Sequence, residues 1–514
     1  MTPTTNKTIA KNTVVLYLRV LITMVVSLFT SRVVLQKLGV DDYGIYQTVG
    51  GLVGLLAFVN GALATGSSRF LTFELGTGDS GKLRRTFSTL LTSHILLCLL
   101  IILVAETIGL RFIHHNLVIP PDRMDAAVVA FHLSVISTAF AIIQVPYHAS
   151  IIAHEQLSIY AYTSIVEAFM KLGIVYLLAV APYDRLKTYA LLYCLVSIGL
   201  ALFYIWYSRR HNKETHYQFI LDKPIFKEVV GYSSWNLFSN TAIALNSQGT
   251  TVLINMFFSP GVVAARAVAN QVNLAANQFI VNFRTAANPQ IVKRYAAGDY
   301  QGSKSLLLSS TTYSYFLMLL LALPICLEAE TLLRLWLGIV PEYAVPFLRL
   351  AMVTSLFQVF DASFYTALYA KGQIKENALI SPLLSFCAFP LIYVLFRMGY
   401  SPITMAWVLL GVYAIIGLLV KPLLIIKIVD YTWRDVLSVF YPCLKVTLAA
   451  VPIPLLAFIC LEDKCNDIVR FVLICVLSLL SVLVSCWYLG FDEHTRTLLL
   501  GFVKKRLHKS VTQP

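Results

Sequence analysis

The stretch Gly231–Gln290, GYSSWNLFSNTAIALNSQGTTVLINMFFSPGVVAARAVANQVNLAANQFIVNFRTAANPQ, is apolar enough to form two membrane-spanning helices that turn at Ser259-Pro260-Gly261. It also carries Asn and Gln at a density that a lipid-facing helix does not sustain, because hydrocarbon offers their amides no partner. At about 100° per residue, Arg266, Asn270, Asn273, Asn277 and Arg284 fall on one narrow face. Asn236, Asn240, Ser247 and Thr251 do the same on the preceding helix. Two adjacent helices with such faces read as the wall of a polar pathway. Hydrogen bonding between helices, with no transport role, is the competing account. A second polar line, Gln271, Gln278 and Asn282, points elsewhere and reads as contact between helices.

The rest of the chain places that wall in a membrane. It is 58% hydrophobic and 13% charged, with a mean hydropathy of +0.74. That balance excludes a soluble globular protein and marks an all-α polytopic membrane protein. Hydropathy predicts about fourteen segments of spanning length. They include 157–181, 229–257 and 262–285, and the last two lie near 443–461 and 468–489. No cleavable signal peptide is expected, since a polar, basic start runs straight into the first span. The net charge of +14 is distributed by side, as in Lys82, Arg84, Arg85, Arg209, Arg210, Lys293, Arg294 and Lys504–Arg506. That bias predicts cytoplasmic N- and C-termini and argues against nucleic acid as a partner. The nine Cys and ten His form no metal-ligand spacing, so no metal site or cofactor is expected.

Other polar groups at membrane depth extend the candidate cavity. In the first span Arg19 shares a face with Thr23, Ser27 and Thr30. In the fifth, Glu167 and Lys171 stand i,i+4 in the favourable order. They read either as a neutralised pair or as a cavity-facing Lys171 modulated by Glu167. Asp361, in the tenth span, is with Glu167 the candidate for ion coupling. An internal repeat organises these elements. Gly78-Asp79, followed by Lys82, matches Gly298-Asp299, followed by Lys304; Ala153 and Gln156 match Ala370 and Gln373. The two pairs recur at nearly equal offsets in equivalent loops. The expectation is an N-lobe of six helices over 1–215, a C-lobe of six over 216–430, and two extra spans with a basic tail over 431–514.

Four stretches carry a resemblance: LGVDDYGIY (Leu38–Tyr46), the Gly-Asp loop after the second span, IIAHEQLSIYAY (Ile151–Tyr162) and GYSSWNLFSN (Gly231–Asn240). Together they resemble the polysaccharide transporter family, bacterial flippases for lipid-linked oligosaccharides. Its superfamily also holds the MATE drug exporters and the lipid II flippases. The resemblance implies two six-helix bundles in a MATE-like V around a cationic cavity, working by alternating access in the bacterial inner membrane. It implies a polyprenyl-diphosphate-linked oligosaccharide as cargo, for O-antigen, capsule or exopolysaccharide. The bilayer and the polymerase and glycosyltransferases of the pathway would be its partners. Arg suits the diphosphate and Asn, Gln, Ser and Thr suit the sugars. Arg19, Lys171, Asn236, Asn240, Arg266, Asn270, Asn273 and Asn277 are the cavity residues this chain offers.

Two other functions compete. A cation-coupled MATE-type antiporter would share the fold and would use Glu167 or Asp361. A membrane polymerase or ligase would need a substantial external loop, and the largest, about 327–345, holds few groups beyond Glu328, Glu330, Arg334 and Glu342. The chain has no GxxxxGK loop for direct use of ATP, and it is not expected to be an enzyme.

Overall fold

Inside a bilayer the backbone must satisfy its own polar groups, which leaves long apolar runs the helix. The computed structural model describes residues 3–154, 156–180, 183–229, 231, 241, 244–373, 375–461, 466–493 and 495–497, and among them there is no strand. The first nine helices are α1 (Pro3–Leu38), α2 (Val40–Leu56), α3 (Phe58–Thr77), α4 (Ser80–Val104), α5 (Leu110–Asn116), α6 (Met124–Ile143), α7 (Val145–Ala153), α8 (Leu157–Val180) and α9 (Arg185–His211). Then come α10 (Thr250–Phe257), α11 (Pro260–Ala296), α12 (Tyr300–Leu327), α13 (Ala329–Leu337), α14 (Ala344–Lys371) and α15 (Lys375–Arg397). The chain continues with α16 (Thr404–Ile415), α17 (Lys421–Val429), α18 (Trp433–Ala450), α19 (Pro452–Leu461) and α20 (Asp467–Ser485). π-helical turns interrupt the ladder at Ala105–Gly109, Leu245–Gly249, Ile416–Val420 and Cys486–Gly490.

Ten spans among the described residues are long and apolar enough to cross a membrane, or eleven if α2 and α3, bent by 55°, form one. The chain is a multi-pass membrane protein. Of the other segments predicted to span, 157–181 is α8 with its Glu167 and Lys171, and 262–285 lies within α11. Asn, Gln and Arg lower the hydropathy of α11, and much of 229–257 lies outside the described residues.

The chain divides into two compact units. The first joins Met1–Gln271 to Leu337–Ala344 and Pro382–Met405; the second comprises Val272–Trp336, Val345–Ser381 and Ala406–Pro514. In the first unit, LGVDDYGIY acts residue by residue. Gly39 takes φ +84°, which only glycine adopts at ease, and separates α1 from α2. Asp42 receives the Arg123 guanidinium from the loop before α6. Gly44 lies so close to the Pro260 carbonyl that a Cβ there would sit 1.9 Å from its oxygen. Behind this corner Ile45, Val49, Ala127, Ala130, Phe131 and Leu186 form a fully buried core.

The polar stretch after α9 is sewn onto the start of α4. Arg84 Nε donates to His216 O, the Gln218 amide to Ser88 Oγ, and the Asp222 amide to Thr89 Oγ1. Thr92 Oγ1 meets the Tyr217 hydroxyl at 3.1 Å and Ile220 O at 3.2 Å. Glu214, buried, accepts from Ser150 Oγ at 2.7 Å and faces His154 Nε2 at 2.9 Å.

In the second unit the two C-terminal spans pack on α12. The Tyr315 and Thr447 hydroxyls meet at 2.9 Å, and a Cβ on Gly490 would come within 2.7 Å of the Phe316 ring. Arg470 Nε and Glu328 Oε1 pair at 3.3 Å, with the Glu328 side chain buried.

The repeated loops share a local device. Gly78 ends α3 at φ +77° and Asp79 caps α4 by accepting the Lys82 amide; in the second unit Gly298 takes φ +82° and Asp299 caps α12 by accepting the Gly302 amide. The Gln156 amide donates to Ile151 O and the Gln373 amide to Leu368 O, the same six-residue closure of a helix end.

Candidate functional site

Within the first unit five helices enclose a cavity of about 420 Å³. Helical spacing places its lining. Thr23, Ser27, Thr30 and Ser31 come from α1, and Tyr43 and Gln47, one turn apart, from α2. Ser164, Glu167 and Lys171 come from α8, Tyr189 and Tyr193 from α9, and Gln271 from α11. Lys171 Nζ lies 2.7 Å from Glu167 Oε1 and 4.8 Å above the centre of the Tyr193 ring. Gln271 Nε2 donates to Ser27 Oγ at 2.8 Å. Tyr46 stands edge-on to Tyr189, with ring centres 4.8 Å apart. Lys171 is thus a neutralised cation inside a cavity, combining the two readings that the sequence left open. Arg19 is on α1, one turn before Thr23; its side chain, like Asn236 and Asn240, lies outside what is described.

The α11 stripe serves four environments. The Arg266 guanidinium reaches the π-helical turn before α10, donating to Asn246 O at 3.3 Å, to Ser247 O at 3.2 Å, and to the Thr250 and Thr251 hydroxyls. A π turn shifts carbonyls out of the regular ladder, and this cation collects two of them. Arg266 therefore meets carbonyl and hydroxyl oxygens of the segment before it. Asn270 is exposed. Asn273 and Asn277 close a ring with buried Ser355 of α14: Asn277 Nδ2 donates to Asn273 Oδ1 at 2.9 Å and to Ser355 Oγ at 3.0 Å, and Ser355 Oγ donates to Asn273 Oδ1 at 2.7 Å.

Asp361 is also paired. Its Oδ1 lies 2.9 Å from Lys421 Nζ, a side chain only 3% exposed, which also donates to Asn377 Oδ1. Beside it a second pocket of about 270 Å³ is lined by Asn277, Arg284, Gln358, Asp361 and Tyr413. Arg284 donates to Ala362 O. Among the described residues no group of His, Cys, Asp and Glu is arranged to hold a metal ion.

Sequence reasoning missed Lys421, Gln47 and the tyrosines. Lys421 carried a signal, a single charge in the apolar run Gly417–Ile426. Tyr189 and Tyr193 carried only their i,i+4 spacing, which ordinary packing also produces.

No known family profile and no curated protein matches the sequence. Solved structures do. The lipid II flippase MurJ in an inward closed conformation superposes with a TM-score of 0.70 at 12% identity, covering 91% of this chain and 97% of that one. An inward-facing multidrug resistance MATE family transporter gives 0.66 at 13% identity, with 80% and 96% covered. A MOP superfamily transporter from Pyrococcus furiosus gives 0.57 at 14% identity, with 82% and 97% covered. The chain has the all-α fold of the MOP-superfamily transporters.

Proposed function

We propose that this protein is a flippase that carries a polyprenyl-diphosphate-linked oligosaccharide across the bacterial inner membrane by alternating access, for surface polysaccharide such as O-antigen, capsule or exopolysaccharide. The observation that carries the reading is the state of the two candidate coupling carboxylates. Glu167 is held by Lys171 and Asp361 by Lys421, each through a lysine of this chain. An antiporter needs a carboxylate that an external cation can reach, and a tethered ammonium competes for that place at all times. The MATE-type reading is weaker for this reason. The flippase likeness also extends over 91% of the chain against 80% for the MATE transporter, which favours a cargo like that in the flippase's name. The expected lobes, 1–215 and 216–430 with 431–514 appended, belong to this proposal, as do the cytoplasmic termini and the polymerase and glycosyltransferases as pathway partners. Deleting the gene tests it. Lipid-linked oligosaccharide should accumulate on the cytoplasmic side and surface glycan should disappear. Unchanged surface glycan in the deletion strain would refute it.

A further inference from the structure

We infer that the cavity of the first unit is a saccharide subsite, which takes the neutral, hydroxyl-rich part of the cargo and excludes its phosphates. The inference rests on the flippase reading and assigns one chemical class of ligand to one place. Charge is the first argument. Among the described residues of the lining the charged ones are Glu167 and Lys171, and at 2.7 Å they cancel. A diphosphate could use Lys171 only by breaking that pair. An organic cation would have to displace the ammonium from both the carboxylate and the Tyr193 ring. A neutral ligand does neither.

Hydrogen bonding is the second. Thr23 and Ser31 donate to Val20 O and Leu28 O of their own helix, and Ser27 accepts from Gln271, so the lining is already oriented. Ser27, Gln47 and Ser164 add further side-chain donors and acceptors to the lining. A sugar hydroxyl, donor and acceptor at once, fits such groups. Tyr43, Tyr189 and Tyr193 add apolar bodies with polar tips, suited to a ring that alternates C–H and O–H. The volume of about 420 Å³ falls in the ~300–1,000 Å³ range of small-molecule sites.

Purified full-length protein in detergent, titrated by thermal shift and calorimetry, tests this. The probes are the oligosaccharide released by mild acid from the lipid-linked pool of a deletion strain, sodium pyrophosphate and tetraphenylphosphonium. The released oligosaccharide should bind saturably, and neither ion should displace it. Ser27→Ala removes an exposed hydroxyl of the lining. It should weaken the saccharide about tenfold. Gln47→Leu should weaken it at least as much. Glu167→Gln should leave Lys171 uncompensated and allow pyrophosphate to bind. Absent saccharide binding, displacement by either ion in the unsubstituted protein, or full affinity in both Ser27→Ala and Gln47→Leu would overturn the subsite. A deletion strain with normal surface glycan would instead overturn the flippase reading.

Discussion

Arg123 grips Asp42 with two of its nitrogens, Nε donating to Oδ1 at 2.8 Å and Nη2 to Oδ2, while Nη1 reaches Asp184 Oδ2 at 2.6 Å. One guanidinium thus ties the α1–α2 corner, the loop before α6 and the start of α9. Arg123→Ala should destabilise the protein by about 2–3 kcal/mol, the scale of losing charged hydrogen bonds. Arg123→Lys should recover only part, because the ammonium lacks the fork. Burial pushes the Asp184 carboxyl up, but the Arg123 hydrogen bond, helped by the Lys187 amide, outweighs it and holds the pKa below its ordinary value. A depressed carboxylate stabilises the fold above its unfolded pKa, and that contribution is lost as pH falls through the folded value. Asp184→Asn should therefore flatten the fall in melting temperature below about pH 4. An unchanged acid limb would contradict the assignment.

Gly44 leaves no room for a methyl group against the Pro260 carbonyl. Backbone cannot yield there as a flexible side chain would. Gly44→Ala should cost at least about 1–3 kcal/mol, seen as reduced membrane abundance. Gly50→Ala, which meets nothing within 4 Å, is the control and should accumulate normally.

For Arg266, truncation removes the donor shared by two carbonyls and two hydroxyls at membrane depth and leaves those groups only their bonds to one another. Arg266→Ala should lower abundance, with or without a glycan phenotype, and Arg266→Lys should restore part of it. A fully abundant Arg266→Ala protein that has lost export would show instead that the guanidinium serves the substrate.

Lys421 and Asp361 should behave as one unit. Lys421→Met alone leaves a carboxylate without its ammonium and should cost about 3–5 kcal/mol. Lys421→Met combined with Asp361→Asn should recover most of that loss, and a double-mutant cycle on membrane abundance or thermal stability reads the coupling. Additive losses would mean the pair is not a unit.

Orientation follows from the distribution of Lys and Arg. In a Cys-free background, single cysteines in Ser208–Lys227 should stay unlabelled by a membrane-impermeant reagent in intact cells. Those in Glu328–Glu342 should react. Labelling of the first segment would reverse the topology.

The fold was legible in the sequence because lipid allows few alternatives: apolar runs of spanning length read as helices, and Gly-Asp pairs read as breaks. The loops containing Gly78, Gly298 and Gln373 declared themselves through residues that perform one local task. The site was less legible. A 3.6-residue period places Arg266, Asn273 and Asn277 on one face, but it does not say which neighbour each meets. Arg266 turns back to a π-helical turn that no spacing rule announces, and Asn273 and Asn277 meet Ser355, 82 and 78 positions away. The Glu167–Lys171 pair was visible because its partners are one turn apart. Asp361 and Lys421 belong to different helices, and that pairing appears only in three dimensions.

The stitching of Arg84, Ser88, Thr89 and Thr92 to the segment His216–Asp222 bears on how this chain can be divided. Hydropathy and charge suggest separating the halves near residue 215, in the most hydrophilic stretch of the sequence. A cut there would detach a strap that α4 holds through hydrogen bonds to Asp222. Two-polypeptide versions of this protein should be split after Asp222, so that the first polypeptide keeps the tether its own helix is built to receive.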